Sequence, residues 1–231
     1  MVSDDCYFIP DQMKLEFDGI EFRYTETSLL SGVYVKCETG QITGLLGRNG
    51  SGKSTLLKIV FGSLKTDVKS VRINDQYIHS PGFSNRRIAY LPQGSFIPSD
   101  LTLRQVLKLY RILPDTILDH FPELTDFLDK RKAILSGGTV RLFENLITLY
   151  APSSFCFFDE PFSGLSPVMI DRLIECMKNE KENKGILITD HLYKYVTQIA
   201  DRLFVLANGR TYPVKGTEDL IRRGYLAGLP D

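Results

Sequence analysis

The stretch GRNGSGKST at residues 47–55 puts three glycines, a lysine and two serines into nine positions, directly after the apolar run ITGLL at 42–46. So little side chain leaves the main chain as the principal chemical feature. Gly47-x-x-x-x-Gly52-Lys53-Ser54 matches the phosphate-loop pattern, which requires a strand before it and a helix after it. ITGLL reads as a short buried strand, and the run from Ser54 repeats apolar residues at helical spacing until Gly62 stops it. Glycines let the backbone curl until successive N–H groups converge on phosphate oxygens, and the helix that follows adds its positive end. In this reading Lys53 reaches the β- and γ-phosphates and Ser54 holds Mg²⁺. The loop is expected to be exposed and to add little to the core, so Lys53→Ala is expected to leave the fold intact.

A loop of this kind needs a second metal contact, and FCFFDE at 155–160 supplies a candidate. Its four apolar residues bury a strand whose carboxyl end presents Asp159 to Mg²⁺. Glu160 stands beside it, placed to orient or deprotonate an attacking water.

Outward from these two stretches the pattern stays regular. Leu15, Phe17, Ile20, Phe22 and Tyr24, then Val33, Val35 and Cys37, alternate with polar residues, which predicts strands with one buried face. SVRINDQYIHS at 70–80 and RRIAYLPQ at 86–93 read as further short strands. Residues 101–133 turn helical, with Leu103, Val106, Leu107 and Tyr110 on one face, and look like an insert. After FCFFDE come a helix with Ile170, Leu173, Ile174 and Met177 on one side, the strand GILIT, and a helix carrying Leu192, Tyr195, Val196 and Ile199. That alternation builds βαβ units and a parallel sheet. RLFVLANGRTYPV at 202–214 reads as a hairpin because Asn208-Gly209 suits a type I′ turn, and a short helix from Glu218 to Arg223 closes the chain. The expected fold is α/β: a phosphate-loop NTPase core with a mostly parallel sheet, an N-terminal antiparallel β layer and an inserted helical subdomain at about 94–140, all within a single domain over 1–231. The first dozen residues are expected to be loosely held.

A chain of 231 residues suits one such domain with a substantial core. Lys plus Arg equals Asp plus Glu at 28 each, so no bulk field favours a polyanion, and no direct nucleic-acid partner is expected. No run of 18 apolar residues occurs, and MVSDDCYF begins acidic where a secretion signal begins basic; neither a membrane span nor secretion is expected. Cys6, Cys37, Cys156 and Cys176 lie far apart without C-x-x-C pairing, which suits reduced, buried thiols in a cytoplasmic protein.

In this order, GRNGSGKST, the LPQ ending at Gln93, LSGG at 135–138, FCFFDEP at 155–161, SGLSP at 163–167 and the TDH ending at His191 resemble the ATP-binding cassette (ABC) ATPase family, over about residues 14 to 225. The resemblance implies an ATPase that uses ATP and Mg²⁺. It implies that Tyr24 stacks on adenine and that Gly47, Arg48, Asn49, Gly50, Ser51, Gly52, Lys53, Ser54 and Thr55 hold the phosphates. Ser54, Gln93 and Asp159 would face the metal. Lys53, Gln93, Glu160 and His191 become the candidate catalytic set, with Gln93 sensing metal and water and His191 bridging the γ-phosphate and Glu160. Ser136, Gly137 and Gly138 become the signature that touches the γ-phosphate held by a second subunit, which implies a head-to-tail homodimer or heterodimer. Standing alone, Ser136 also suits a helix N-cap.

The family's commonest use implies a separately encoded transmembrane permease as partner and a cytoplasmic protein held on the inner face of the cell membrane through it. The alternatives are a soluble single-cassette ATPase of macromolecular assembly or repair, and a weakly hydrolysing regulatory subunit. Two positions depart from the family pattern: Thr139 follows LSGG where Gln or Glu is usual, and Ser166 stands where Asp is usual. Slow or asymmetric turnover is expected from them.

Overall fold

Alternating apolar residues fold as expected into antiparallel strands at the N-terminal side of the computed structural model, which describes residues 12–24, 26–79 and 86–226. Cys6 and nearly all of the loosely held start expected above lie outside the described residues. Strand β1 (Lys14–Arg23) pairs antiparallel with β2 (Ser28–Glu38), with Leu15, Phe17 and Ile20 turned inward against Val33, Val35 and Cys37. The chain then runs through β3 (Ile42–Leu46) and α1 (Lys53–Phe61) before β4 (Ser70–Ile73) and β5 (Gln76–Tyr77) extend the antiparallel layer. Cys37, Cys156 and Cys176 are free and buried; burial raises the Cys37 thiol to about 12, so it behaves as a small apolar group.

Next come β6 (Ile88–Leu91), α2 (Leu103–Leu109), α3 (Pro114–Leu118), α4 (Gly137–Tyr150), β7 (Phe155–Asp159), α5 (Pro167–Glu180), β8 (Gly185–Thr189), α6 (Tyr193–Ile199), β9 (Arg202–Ala207), β10 (Arg210–Val214) and α7 (Thr217–Arg222). The described strands lie in the order β5-β4-β1-β2-β10-β9-β3-β8-β7-β6. From β9 to β6 all neighbours are parallel, which is the sheet that the βαβ alternation predicts. The β9–β10 hairpin turns at Asn208 and Gly209 with φ of +50° and +74°, as a type I′ turn requires.

The helical insert differs from its expectation. Residues 101–133 hold two short helices and two 3-10 turns (Pro122–Phe127 and Lys132–Ile134): α2 stops at its cap Tyr110, before Arg111 turns to φ +58°, and Pro114 and Pro122 each sit at the start of a new turn, where the missing N–H is tolerated. Leu103, Val106 and Leu107 are buried, while Tyr110 caps α2 and is partly exposed. Helix α4 begins within the expected insert and continues beneath the main sheet.

Two apolar clusters flank that sheet. One gathers α4, α5, α6 and the insert; the other places α1 between the antiparallel layer and the opposite sheet face. Leu56, Leu57, Ile59 and Val60 of α1 are fully buried there, each burial contributing about 1.5–3 kcal/mol. Between the antiparallel layer and the parallel sheet run the backbone bridge of Arg210 to Gly32, a hydrogen bond from Ser31 N to Gly209 O at 2.8 Å, and a clasp in which Thr211 Oγ1 accepts from Tyr34 N and donates to Tyr34 O, both at 2.7 Å. Among the described residues no helix is long and apolar enough to cross a membrane.

Candidate functional site

Strands β3, β8, β7 and β6 lie side by side, and the loop after each carboxyl end delivers one of the motifs. After β3, Gly50 and Gly52 adopt φ of +79° and +103°, a region open to glycine, and curl the chain back before α1 begins. Ser51 N donates to Arg48 O at 3.1 Å across the curl, while the side chains of Arg48 and Asn49 face outward. Arg48, Asn49 and Gly50 are exposed, as expected of this loop, but Lys53 is not. It is buried, and its Nζ donates to Gly47 O at 2.7 Å and Arg48 O at 3.2 Å, so it ties the loop together from inside. Burial pulls its ammonium below the usual lysine range, against the opposing pull of Glu160, Asp159 and Asp190.

At the second residue of α1, Ser54 Oγ donates to Asp159 Oδ1 at 3.0 Å. Gln93, two residues past β6, joins them: its Nε2 donates to Ser54 Oγ and to Glu160 Oε1, both at 3.0 Å, and lies 3.5 Å from Asp159 Oδ1. Tyr90 OH donates to Asp159 Oδ2 at 3.2 Å. Asp159 is almost fully buried, and burial holds its carboxyl above the ordinary carboxylate range despite the hydrogen bonds from Ser54 and Tyr90. The structure thus brings Lys53, Ser54, Gln93, Asp159 and Glu160 into one neighbourhood from three separate strands. Ser54, Gln93 and Asp159 offer oxygen donors of the kind a hard divalent cation takes, and Mg²⁺ commonly completes such a set with waters and substrate phosphates.

Glu160 sits in the left-handed region at φ +55°, a conformation that costs a non-glycine residue about 1–2 kcal/mol. Its N–H donates to Thr189 O at 2.7 Å. His191 Nδ1 lies 3.9 Å from Glu160 Oε2 and 3.4 Å from Asp190 Oδ1, with the ring half exposed. Asp190 is buried and accepts from Phe162 N at 3.0 Å and Leu192 N at 2.9 Å, which joins the loops after β7 and β8.

Tyr24 follows β1 and is 68% exposed, its ring edge-on to Phe22 and its hydroxyl 3.5 Å from the buried Thr55 Oγ1, so a flat face stands free above the start of α1. Ser136, Gly137 and Gly138 stand apart from the cluster, at the start of α4. There Ser136 acts as N-cap: its Oγ accepts from Thr139 N at 3.1 Å and shares a hydrogen with Thr139 Oγ1 at 2.8 Å. Ser166 likewise caps α5, accepting from Met169 N at 3.4 Å. Both departures from the family pattern are therefore built into helix starts.

Sequence reasoning missed Tyr90, Arg141 and Glu144. Arg141 donates to the carbonyls of Pro92, Asp159 and Glu160 from inside α4. The available signal was an Arg and a Glu three positions apart in an otherwise apolar helix, VRLFENLI at 140–147.

The ABC transporter family model matches residues 30–163, from β2 to the loop after the acidic pair. Over 232 residues the chain is 28% identical to the high-affinity branched-chain amino acid transport ATP-binding protein BraG of Pseudomonas aeruginosa, covering 93% of this chain and 100% of that protein. It is 31% identical over 203 residues to the probable branched-chain amino acid transport ATP-binding protein LivF of Archaeoglobus fulgidus, covering 81% and 85% of the two chains. It is 29% identical over 235 residues to the lipopolysaccharide export system ATP-binding protein LptB of Haemophilus influenzae, covering 92% and 96%. A solved ATP binding subunit of an ABC transporter superposes with a TM-score of 0.77 at 26% identity, over 93% of this chain and 95% of that one. Strand order, loop chemistry and relatives converge, and the chain belongs to the ABC transporter family as an ATP-binding and ATP-hydrolysing subunit.

Proposed function

We propose that the neighbourhood of Asp159 is the hydrolytic centre and that the protein works as one half of a head-to-tail pair driving a transmembrane permease. The carrying observation is Gln93, whose one amide reaches Ser54 on the metal side and Glu160 on the water side, each at 3.0 Å. In this reading Tyr24 stacks on adenine, and the curl from Gly47 to Thr55 wraps the phosphates with its N–H groups. Lys53 exchanges its carbonyl partners for phosphate oxygens. Ser54 and Asp159, with Gln93, hold Mg²⁺, which when bound neutralises charge building on the phosphates. Glu160 accepts the proton of the attacking water, with His191 beside it to contact the γ-phosphate.

The start of α4 supports the pairing. Ser136 and Gly137 are exposed and, among the described residues, hydrogen-bond only within their own turn, which leaves their N–H groups and the positive helix end to a phosphate presented by a second copy or a related subunit. Closure of the pair on ATP and its release after hydrolysis supply the stroke. The permease would then hold the protein against the inner face of the cell membrane.

Glu160→Gln tests both halves. Phosphate release from ATP should fall by about 10²- to 10⁴-fold with ATP affinity retained in calorimetry, and light scattering of the variant with ATP should report a doubled mass. Turnover at the parent rate would remove Glu160 from the base role, and a mass fixed at one subunit would remove the pair.

A further inference from the structure

Arg141 lies in the second turn of α4 and is almost wholly buried. Its Nη1 donates to Pro92 O at 2.7 Å; its Nη2 donates to Asp159 O at 2.7 Å and Glu160 O at 2.8 Å. One guanidinium therefore gathers carbonyls from two loops that are 67 positions apart, taking the carbonyl just before Gln93 and that of Glu160 itself. Glu144, one turn further along α4, is 3.6 Å from Arg141 Nη1 and grips the same loop from its amide side, accepting from Phe96 N at 3.0 Å, Ile97 N at 3.4 Å and Ser95 Oγ. Arg141 Nε has no partner among the described residues, and the two Nη groups make the three carbonyl hydrogen bonds beside the Glu144 ion pair. The three carbonyls belong to residues that carry the cluster or adjoin it. Glu160 needs such a hold, because its backbone occupies a strained region and sets the direction of its carboxylate.

We propose that Arg141 is a positioning residue for ATP hydrolysis: it fixes the backbones of Gln93 and Glu160 to each other and to the helix that begins with Ser136. The inference rests on the roles given to Gln93 and Glu160 above. Lysine keeps the charge but lacks the planar fork, and one ammonium cannot span Pro92 O and the Asp159–Glu160 pair as the guanidinium does.

Arg141→Lys should lower kcat by about 100-fold, the effect of an ångström-sized misplacement, while KM for ATP stays within about threefold of the parent. Parallel changes in kcat and KM, or a parent-level kcat, overturn the proposal. Should Arg141→Lys be too unstable to assay, the double variant Arg141→Met with Glu144→Gln, which removes the buried pair together, is read in the same way; if it also fails to fold, the pair serves stability and the positioning role is rejected. Glu160→Gln assayed alongside separates the two levels of inference. If it retains turnover, the reading of the site falls; if it loses turnover while Arg141→Lys keeps it, only the role of Arg141 falls.

Discussion

Asp159 is held by Ser54 and Tyr90 in a place where burial disfavours its charge, and the sign of that conflict is measurable. Its folded pKa lies above the unfolded value near 3.8, so the folded chain binds the proton more tightly. The associated stability is present below that value and is lost as pH rises through the folded pKa. In buffer free of metal and nucleotide, Asp159→Asn should therefore melt above the parent at pH 7.5, by about 2–4 °C for each kcal/mol relieved, and the gap should close towards pH 4. A lower melting point at pH 7.5 would contradict this balance. Asp159, Lys53 and Ser54 were legible in the sequence because their chemistry is carried by neighbours along the chain: a glycine curl, or an apolar run ending in an acid. Tyr90 was not, because its hydroxyl bonds a residue 69 positions away and looks from the sequence like any strand tyrosine. The buried state of Lys53 was hidden for a related reason, since a motif names what a lysine can reach and not what covers it.

Helix α4 shows how one element joins parts of the site that the sequence presents separately. Its first residues pack against the loop after β7 so closely that a Cβ on Gly138 would sit 2.7 Å from Gly164 O, a main-chain atom that cannot turn aside. A Cβ on Gly137 would meet nothing within 4 Å. Gly138→Ala should lower stability by about 1–3 kcal/mol, whereas Gly137→Ala should hold or raise it through better helix propensity, a contrast that calorimetry of the two variants decides. Equal effects would mean that the loop yields. The helix was visible in the sequence only as the signature at its start. The insert before it was read as more helical than it is because apolar spacing survives a proline break even when the helix does not.

The molecule as a whole is two layers sharing one cluster, in which Phe17 of the antiparallel layer faces Phe157 of the parallel sheet at a centroid distance of 6.4 Å. Phe17→Ala should cost about 3–5 kcal/mol in urea unfolding, and tyrosine fluorescence and far-ultraviolet circular dichroism should still trace one transition. Two separated transitions would mean that each layer stands by itself. Side chains do much of this joining, because the main chain adds only a short seam there: the Arg210–Gly32 bridge, the bond from Ser31 N to Gly209 O and the Thr211 clasp among the described residues. Tyr24 rides on one layer and Lys53 on the other. The width of the gap between the aromatic plate and the ammonium is thus gauged by how these greasy surfaces seat on one another, and a change of side-chain bulk at their seam would reset that aperture.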